Sequence, residues 1–337
     1  MNNTIVFAAS MLAAALLTKL VIVLARARGI MDVPNSRSSH TSPTPRGGGL
    51  AVAAVIVAGA VLIALYADKA APMVVLSALI AILLAAVGYV DDARGLPALP
   101  RFGVHACAAL ALVVVAAQSL ASNRLLPDVP LAVELGLLAL AIMWSINLFN
   151  FMDGIDGIAA SQAIFVSVSS ASLMMLGDLD SVWRSVAILT AGASAGFLWW
   201  NWPPAKIFMG DVGSGFLGFW LAALAIGSHA AGTLPIWTSL ILSALFVADA
   251  TATLVRRLLS GERVYEAHRS HAYQILSRKW SSHLRVTSLL WVINLCVLLP
   301  LAYVSFMYRS YSVWIAIGAL LLCGAGCAAV GSNRRAD

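Results

Sequence analysis

The sequence predicts an all-α polytopic membrane protein of about eleven transmembrane helices, N-terminus outside and C-terminus inside, and three observations predict it. Of 337 residues, 61% are hydrophobic and 11% charged, and the mean hydropathy is +0.90. The apolar residues form continuous runs of about 20, the length of a bilayer-crossing helix, without the alternation of a barrel strand. The Lys and Arg residues fall on alternate connections, the pattern that sets orientation. Length alone would allow two soluble domains. Composition instead points to one membrane domain over residues 1–337.

The first run, 4–24, ends at Ala25-Arg26-Ala27, which imitates a signal-peptidase site. No Lys or Arg occurs from Met1 to Ser10 and the run is too long for a signal sequence, so it reads as an uncleaved helix. A polar loop, 25–46, leads to runs 47–66 and 73–90, the latter closing at Asp91-Asp92. Runs 104–121 and 131–149 follow, and the second ends in Asn150 and the acidic turn Asp153-Gly154-Ile155-Asp156-Gly157. Runs 158–177 and 185–201 precede Asp211, which opens run 212–229. Runs 236–255, 287–307 and 312–331 complete the set, with a long basic loop at 256–286.

With the N-terminus outside, sixteen of the 21 Lys and Arg lie on inside segments. Only Lys69, Arg124, Arg184 and Arg309 lie outside, and Lys19 lies within the first span. The net charge of +6 is therefore mostly topological, and the 256–286 loop faces anionic membrane lipids rather than nucleic acid. Loops 25–46, 91–103, 150–157, 202–211 and 256–286 all fall on the inside face. A transporter would more naturally hold its ionisable groups at mid-membrane on broken helices. Here the polar motifs converge on the cytoplasmic face, as in a membrane-embedded active site. The four cysteines, Cys107, Cys296, Cys323 and Cys327, lie in spans without metal-ligand spacing and read as packing residues.

A charge near a bilayer centre costs about 2.5–3.5 kcal/mol, so acids at span ends are functional candidates. Asp91 and Asp92 repel unless a cation or a basic group offsets them, and Arg94 and Arg101 follow. Asn147, Asn150, Asp153 and Asp156 recur every three residues and share a helix face if the helix continues. Asp211 precedes Gly213-Ser214-Gly215, a helix start whose free N–H groups suit an anion, with Lys206 as the neighbouring cation. Clustered carboxylates beside glycines suit a hard divalent ion, Mg²⁺ first and Mn²⁺ as the alternative. Asp249, seven residues before Arg256, is the one acid well inside a span. It is either a helix-to-helix hydrogen-bond partner or part of the site.

Five motifs in order, spanning about residues 25–275, resemble the bacterial polyprenyl-phosphate N-acetylhexosamine-1-phosphate transferases of the MraY and WecA types. They are Asp32-Val33-Pro34-Asn35 with Arg37 and His40; Asp91-Asp92; Asn147 to Gly157; Phe208 to Ser214; and His268-Arg269-Ser270-His271. The form of the last looks most like the WbpL-type enzymes that start O-antigen chains. The resemblance implies transfer of a sugar-1-phosphate from a cytoplasmic UDP-N-acetylhexosamine to undecaprenyl phosphate, with Mg²⁺, in the bacterial inner membrane. It leaves room for a homodimer. Asp211 is then the leading metal ligand, with Asp91, Asp92 and Asp153 as further ligands. Asp91 and Asp92 organise the acceptor phosphate, and Asp91 is a candidate base. Asn35, Arg37, His40, Arg46, Asn147, Asn150, Asp153, Asp156 and Lys206 serve substrate binding. His268, Arg269 and His271 contact the sugar or diphosphate. The sequence leaves direct displacement and a phospho-aspartate both open. It departs from the family in lacking a further acid or lysine after Asp91-Asp92 and in having only two histidines in its last motif. A CDP-alcohol phosphotransferase would gather its aspartates in one segment, whereas these are dispersed over three.

Overall fold

The computed structural model describes residues 2–34, 42–66, 71–262 and 268–332. Apart from a two-residue antiparallel pair, Met31–Asp32 (β1) with Thr44–Pro45 (β2), the regular structure is helical. The helices are α1 (Asn3–Ala27), α2 (Gly49–Leu65), α3 (Ala71–Arg94), α4 (Ala98–Ser122), α5 (Leu131–Met152), α6 (Ile158–Leu176) and α7 (Val182–Asn201). They continue as α8 (Asp211–Ala230), α9 (Ile236–Leu242), α10 (Ala244–Leu259), α11 (Ala272–Trp280), α12 (His283–Ile293), α13 (Leu299–Met307) and α14 (Ser312–Ser332).

This is a multi-pass membrane protein, and every predicted run is helical. Eleven spans is nevertheless more than the helices sustain one by one. Among the described residues, eight are long and apolar enough to cross a membrane alone: α1, α3, α4, α5, α6, α8, the α12–α13 rod and α14. The run predicted at 236–255 is two helices, α9 and α10, bent by 74° at Ser243. Helix α2 has 17 residues, about 25 Å at 1.5 Å per residue, short of a core of about 30 Å. Helix α7 is too polar to pass, and part of that polarity faces the core, where buried Thr190 accepts from Trp220 Nε1 at 2.9 Å.

Helices α6 and α8 are the most enclosed, whereas α1 and α14 lie outermost. The break between α9 and α10 frees backbone groups that lipid cannot satisfy. Gln162 of α6 meets this need: its Nε2 donates to Leu242 O at 2.9 Å, and its Oε1 accepts from Asn294 Nδ2 at 2.9 Å. Asn294 begins a π-helical turn, Asn294–Leu298, that joins α12 to α13.

Glycines set the close crossings beneath the site. A Cβ on Gly88 of α3 would lie 2.5 Å from the backbone oxygen of Asp211, and one on Gly49 would lie 2.2 Å from Gly213 Cα. Only glycine lets α2, α3 and the start of α8 meet this closely. The four cysteines are unpaired.

Candidate active site

Asp91 and Asp92 occupy the last turn of α3, and their oxygens have different tasks. Asp92 Oδ1 accepts from the Asp211 N–H at 2.9 Å and Oδ2 from the Val212 N–H at 3.1 Å. The carboxylate thus caps α8 from another helix, satisfying donors that a helix start leaves open. Gly210, the residue before α8, has φ +76°, and a Cβ there would lie 2.5 Å from Asp92 Oδ2. Gly213 and Ser214 donate to Gly210 O. The expected anion site at this helix start is therefore corrected: its N–H groups are taken up from within the protein.

Asp91 Oδ1 accepts from the Leu96 N–H at 2.6 Å, and Oδ2 pairs with Arg101 Nη1 at 2.7 Å. Gly95, at φ +67°, makes the turn that brings α4 and Arg101 back onto Asp91. Arg94 is exposed. Asp211 Oδ1 lies 3.1 Å from Arg46 Nη2, and Oδ2 lies 3.7 Å from Arg101 Nη1. Arg46 also reaches Asp92 Oδ1 through Nε at 2.8 Å. Backbone bonds fix its approach, since Gly48 and Gly49 donate to Phe208 O and Met209 O at 2.9 and 2.8 Å. Burial works against the Arg46 charge, but Asp92, Asp211, Asp32 and Asp153 outweigh it and hold its pKa above the ordinary value.

Asp153 ends α5 at the edge of this cluster. Burial, foremost, and then Asp211, with Asp92 and Asp156, push its carboxyl well above the usual carboxylate range against the pull of Arg46. Asp91, Asp92, Asp153 and Asp211 outnumber Arg46 and Arg101 by two charges. An all-oxygen donor set with surplus negative charge suits a hard divalent ion. Among the described residues, no group of three or more His, Cys, Asp or Glu is arranged around a metal position.

Asp156 is committed elsewhere. Its Oδ2 accepts from the Ala205 N–H at 3.0 Å and its Oδ1 faces His283 Nδ1 at 3.2 Å, tying the α5–α6 turn to the loop before α8 and to α12. Gly157, at φ +76°, donates to buried Asn201 Oδ1 at 2.9 Å. Asn147 Nδ2 donates to Met143 O of its own helix at 2.7 Å, and Asn150 is half-buried at the end of α5. Lys206, expected at a phosphate, packs on an aromatic ring in this structure. Its ammonium lies 5.3 Å from the Trp200 ring, with Lys19 at 5.1 Å, and not among the carboxylates. Aromatic attraction for a cation explains the placement. Asn35, Arg37 and His40 lie outside the described residues.

In the last motif, Arg269 borders a polar cleft of about 710 Å³ with Thr44, Asp156, Phe208, Arg278 and His283. Phe208 and Asp156 sit three residues from Asp211 and Asp153, so the cleft adjoins the acid cluster. His268 Nδ1 is 2.9 Å from Ser270 Oγ. His271 is not at the cleft surface: it is 3% exposed and stacks between Phe151 and Tyr273. A sugar or diphosphate contact is expected here from the sequence; the structure shows the ring packed on two aromatic side chains. Tyr273 Oη donates to Phe151 O at 2.7 Å, pinning this motif to the end of α5. Beside Asp91, an apolar groove of about 500 Å³ between α2 and α3 is lined by Leu50, Val57, Ile82, Tyr89 and Val90.

Sequence reasoning passed over His283, Asn201 and Tyr273. His283 carries no local signal; Tyr273, in the motif that follows His271, and Asn201, polar within Trp199-Trp200-Asn201-Trp202, each carried one.

The fold and this cluster define a helical membrane protein with a carboxylate–arginine centre at one end of its bundle. The chain matches the family model described as glycosyl transferase family 4 over residues 73–229. It is 33% identical to a decaprenyl-phosphate N-acetylglucosaminephosphotransferase of Mycobacterium leprae, over 82% of this chain and 77% of that protein. A probable undecaprenyl-phosphate N-acetylglucosaminyl 1-phosphate transferase of Bacillus subtilis is 28% identical over 93% of this chain and 87% of its own length. A phospho-N-acetylmuramoyl-pentapeptide-transferase of Mycolicibacterium vanbaalenii is 31% identical over 66% of this chain and 73% of its own length. The chain belongs to the polyprenyl-phosphate N-acetylhexosamine-1-phosphate transferase family, of MraY and WecA type.

Proposed function

We propose that this protein transfers an N-acetylhexosamine-1-phosphate from a UDP-sugar to undecaprenyl phosphate at the cytoplasmic face of the bacterial inner membrane. UMP leaves, and the lipid product begins an envelope polysaccharide, an O-antigen chain by its motif resemblance. One observation carries the reading: the acid cluster adjoins both an apolar groove that ends beside Asp91 and a polar cleft beside Asp156 and Arg269. A lipid phosphate and a soluble nucleotide sugar need that arrangement. The names of the relatives make N-acetylglucosamine the first sugar to try.

In a direct displacement, an oxygen of the acceptor phosphate bonds to the sugar-bearing phosphorus, and the pyrophosphate bond to UMP breaks. That oxygen is already anionic, so alignment matters more than proton removal. Arg46 and Arg101 hold the carboxylates in register and offset charge where two phosphates must meet. Arg269 and Arg278 give the cleft the charge for a diphosphate. Asp211, Asp91 and Asp153 would hold Mg²⁺, while Asp92 keeps α8 in position. Bound there, the ion would neutralise charge on the transferring phosphoryl group.

The test is incubation of purified protein with undecaprenyl phosphate, Mg²⁺ and a panel of UDP-sugars, following UMP and the lipid product. UMP release that depends on both substrates is expected. Absence of transfer with every N-acetylated sugar would overturn the reading. Orientation is checked by reporter fusions, expected outside at Lys69 and inside at Gly261.

A further inference from the structure

Asp249 is 2% exposed and lies in α10, within the membrane-embedded body, away from the acid cluster. A carboxylate in such a place needs strong partners. It finds them at the start of α11. Oδ1 accepts from the Ala272 N–H at 2.8 Å and Oδ2 from the Tyr273 N–H at 3.1 Å. Thr253, one turn along α10, donates to Oδ1 at 3.2 Å. His271 Nδ1 lies 3.6 Å from the same oxygen, buried and without a hydrogen bond of its own.

These contacts sit directly behind His268-Arg269-Ser270-His271. His268 and His271 lie ring to ring at 4.9 Å. His271 packs on Phe151, and Tyr273 bonds Phe151 O, two residues from Asp153. Arg269 then borders the cleft on the far side. Behind Asp249 is an almost wholly apolar cavity of about 390 Å³ between α10, α11, α12 and α14, with Leu245, Leu290 and Cys327 in its walls. Low polarity strengthens hydrogen bonds made there and penalises any left unmade. The motif is thus held at its C-terminal end by one carboxylate.

We propose that Asp249 is a positioning residue for the nucleotide-sugar donor: by capping α11 and facing His271, it holds the Arg269 segment at the cleft. The inference rests on the donor reading of that cleft. Asp249 touches neither substrate in this account, so its effect passes through α11 and His271. Truncation frees two backbone N–H groups and lets the segment move. Groups held to about 1 Å by such supports lose on the order of ten- to a hundredfold in efficiency when released.

The experiment is steady-state kinetics of Asp249→Ala, Asp249→Asn and Thr253→Val, varying UDP-N-acetylglucosamine and undecaprenyl phosphate in turn. Hydrogen exchange of the 268–280 peptide is measured alongside. Asp249→Ala should raise the donor KM on the order of tenfold or more while leaving the acceptor KM near that of the wild type. Asp249→Asn keeps one acceptor oxygen and should fall between, and Thr253→Val should shift the donor KM slightly in the same direction. A double-mutant cycle with His271→Ala should be non-additive. Exchange should rise in 268–280 and stay unchanged in the peptide holding Asp91 and Asp92. Equal effects on both KM values, additivity with His271→Ala, or faster exchange with an unchanged donor KM would each overturn the proposal. If Asp249→Ala does not insert, Asp249→Asn and Thr253→Val carry the same test. Wild-type protein that transfers no sugar-phosphate would count against the proposed function instead, and exchange would still report whether Asp249 holds α11.

Discussion

Asp92 closes the start of α8 from the end of α3, with its two oxygens 2.9 and 3.1 Å from the backbone nitrogens of Asp211 and Val212. The bond joins residues 119 and 120 positions apart and sets Asp211 beside Asp91. It gives Asp92 an architectural task, capping α8, beside its place in the acid cluster.

Asp92→Ala should therefore destabilise the protein as well as inactivate it. Losing a cap costs about 1–2 kcal/mol, and Arg46 loses its 2.8 Å partner besides. Asp92→Asn keeps one acceptor oxygen and should recover part of the stability. Thermal unfolding in detergent, read beside UMP release, checks both.

Asp211→Asn should behave differently. Its carboxylate caps no helix but meets Arg46 and Arg101, so folding should survive while turnover falls on the order of a thousandfold. Size-exclusion behaviour and single-turnover rates separate the two effects. Near-normal turnover at ordinary Mg²⁺ would remove Asp211 from the metal assignment.

Gly88→Ala and Gly103→Ala should have opposite signs. At Gly88 the new methyl would meet Asp211 O at 2.5 Å and Val212 Cα at 2.7 Å, an overpacking cost of about 1–3 kcal/mol. It would also push Asp91 and Asp92 off α8. At Gly103, in α4, nothing lies within 4 Å, and alanine should stabilise the helix by up to about 1 kcal/mol. Melting temperatures and activities of the two variants check this.

If Asp153 helps to hold Mg²⁺ as proposed, its raised carboxyl should make metal binding pH-dependent. Its folded pKa lies well above 3.8, so the folded protein holds a proton there that the unfolded chain releases. Its contribution to stability accordingly falls as pH rises from the ordinary value to the folded one. A cation must displace that proton, so apparent Mg²⁺ affinity should increase with pH over the same window. Mg²⁺ titrations of a chelator-treated sample across pH test it. Asp153→Asn should weaken the pH dependence.

Much of this was legible in the chain. Every apolar run became helix, and Asp91, Asp92, Asp153 and Asp211 did come together with Arg46. The differences between expectation and structure share a cause. Lys206 looked like a phosphate contact because it is the nearest cation in sequence, but Trp200 is nearer in space. His271 looked like a sugar contact because it stands in a polar loop, yet its ring is buried against Phe151. The run at 236–255 looked continuous because hydropathy averages over the bend at Ser243.

The sequence by itself determined that the chain is a bundle of membrane helices with its acids at their ends. In lipid the backbone must bond within each segment, and a carboxylate must lie where a partner or water can reach it. Only the tertiary structure decided which carboxylate does what. Asp92 and Asp249 cap helices that begin 119 and 23 positions later, whereas Asp91 and Asp211 meet the same arginine, Arg101. Those roles depend on distances between segments that only the packed bundle sets, because a carboxylate's chemistry is fixed by the donors that surround it.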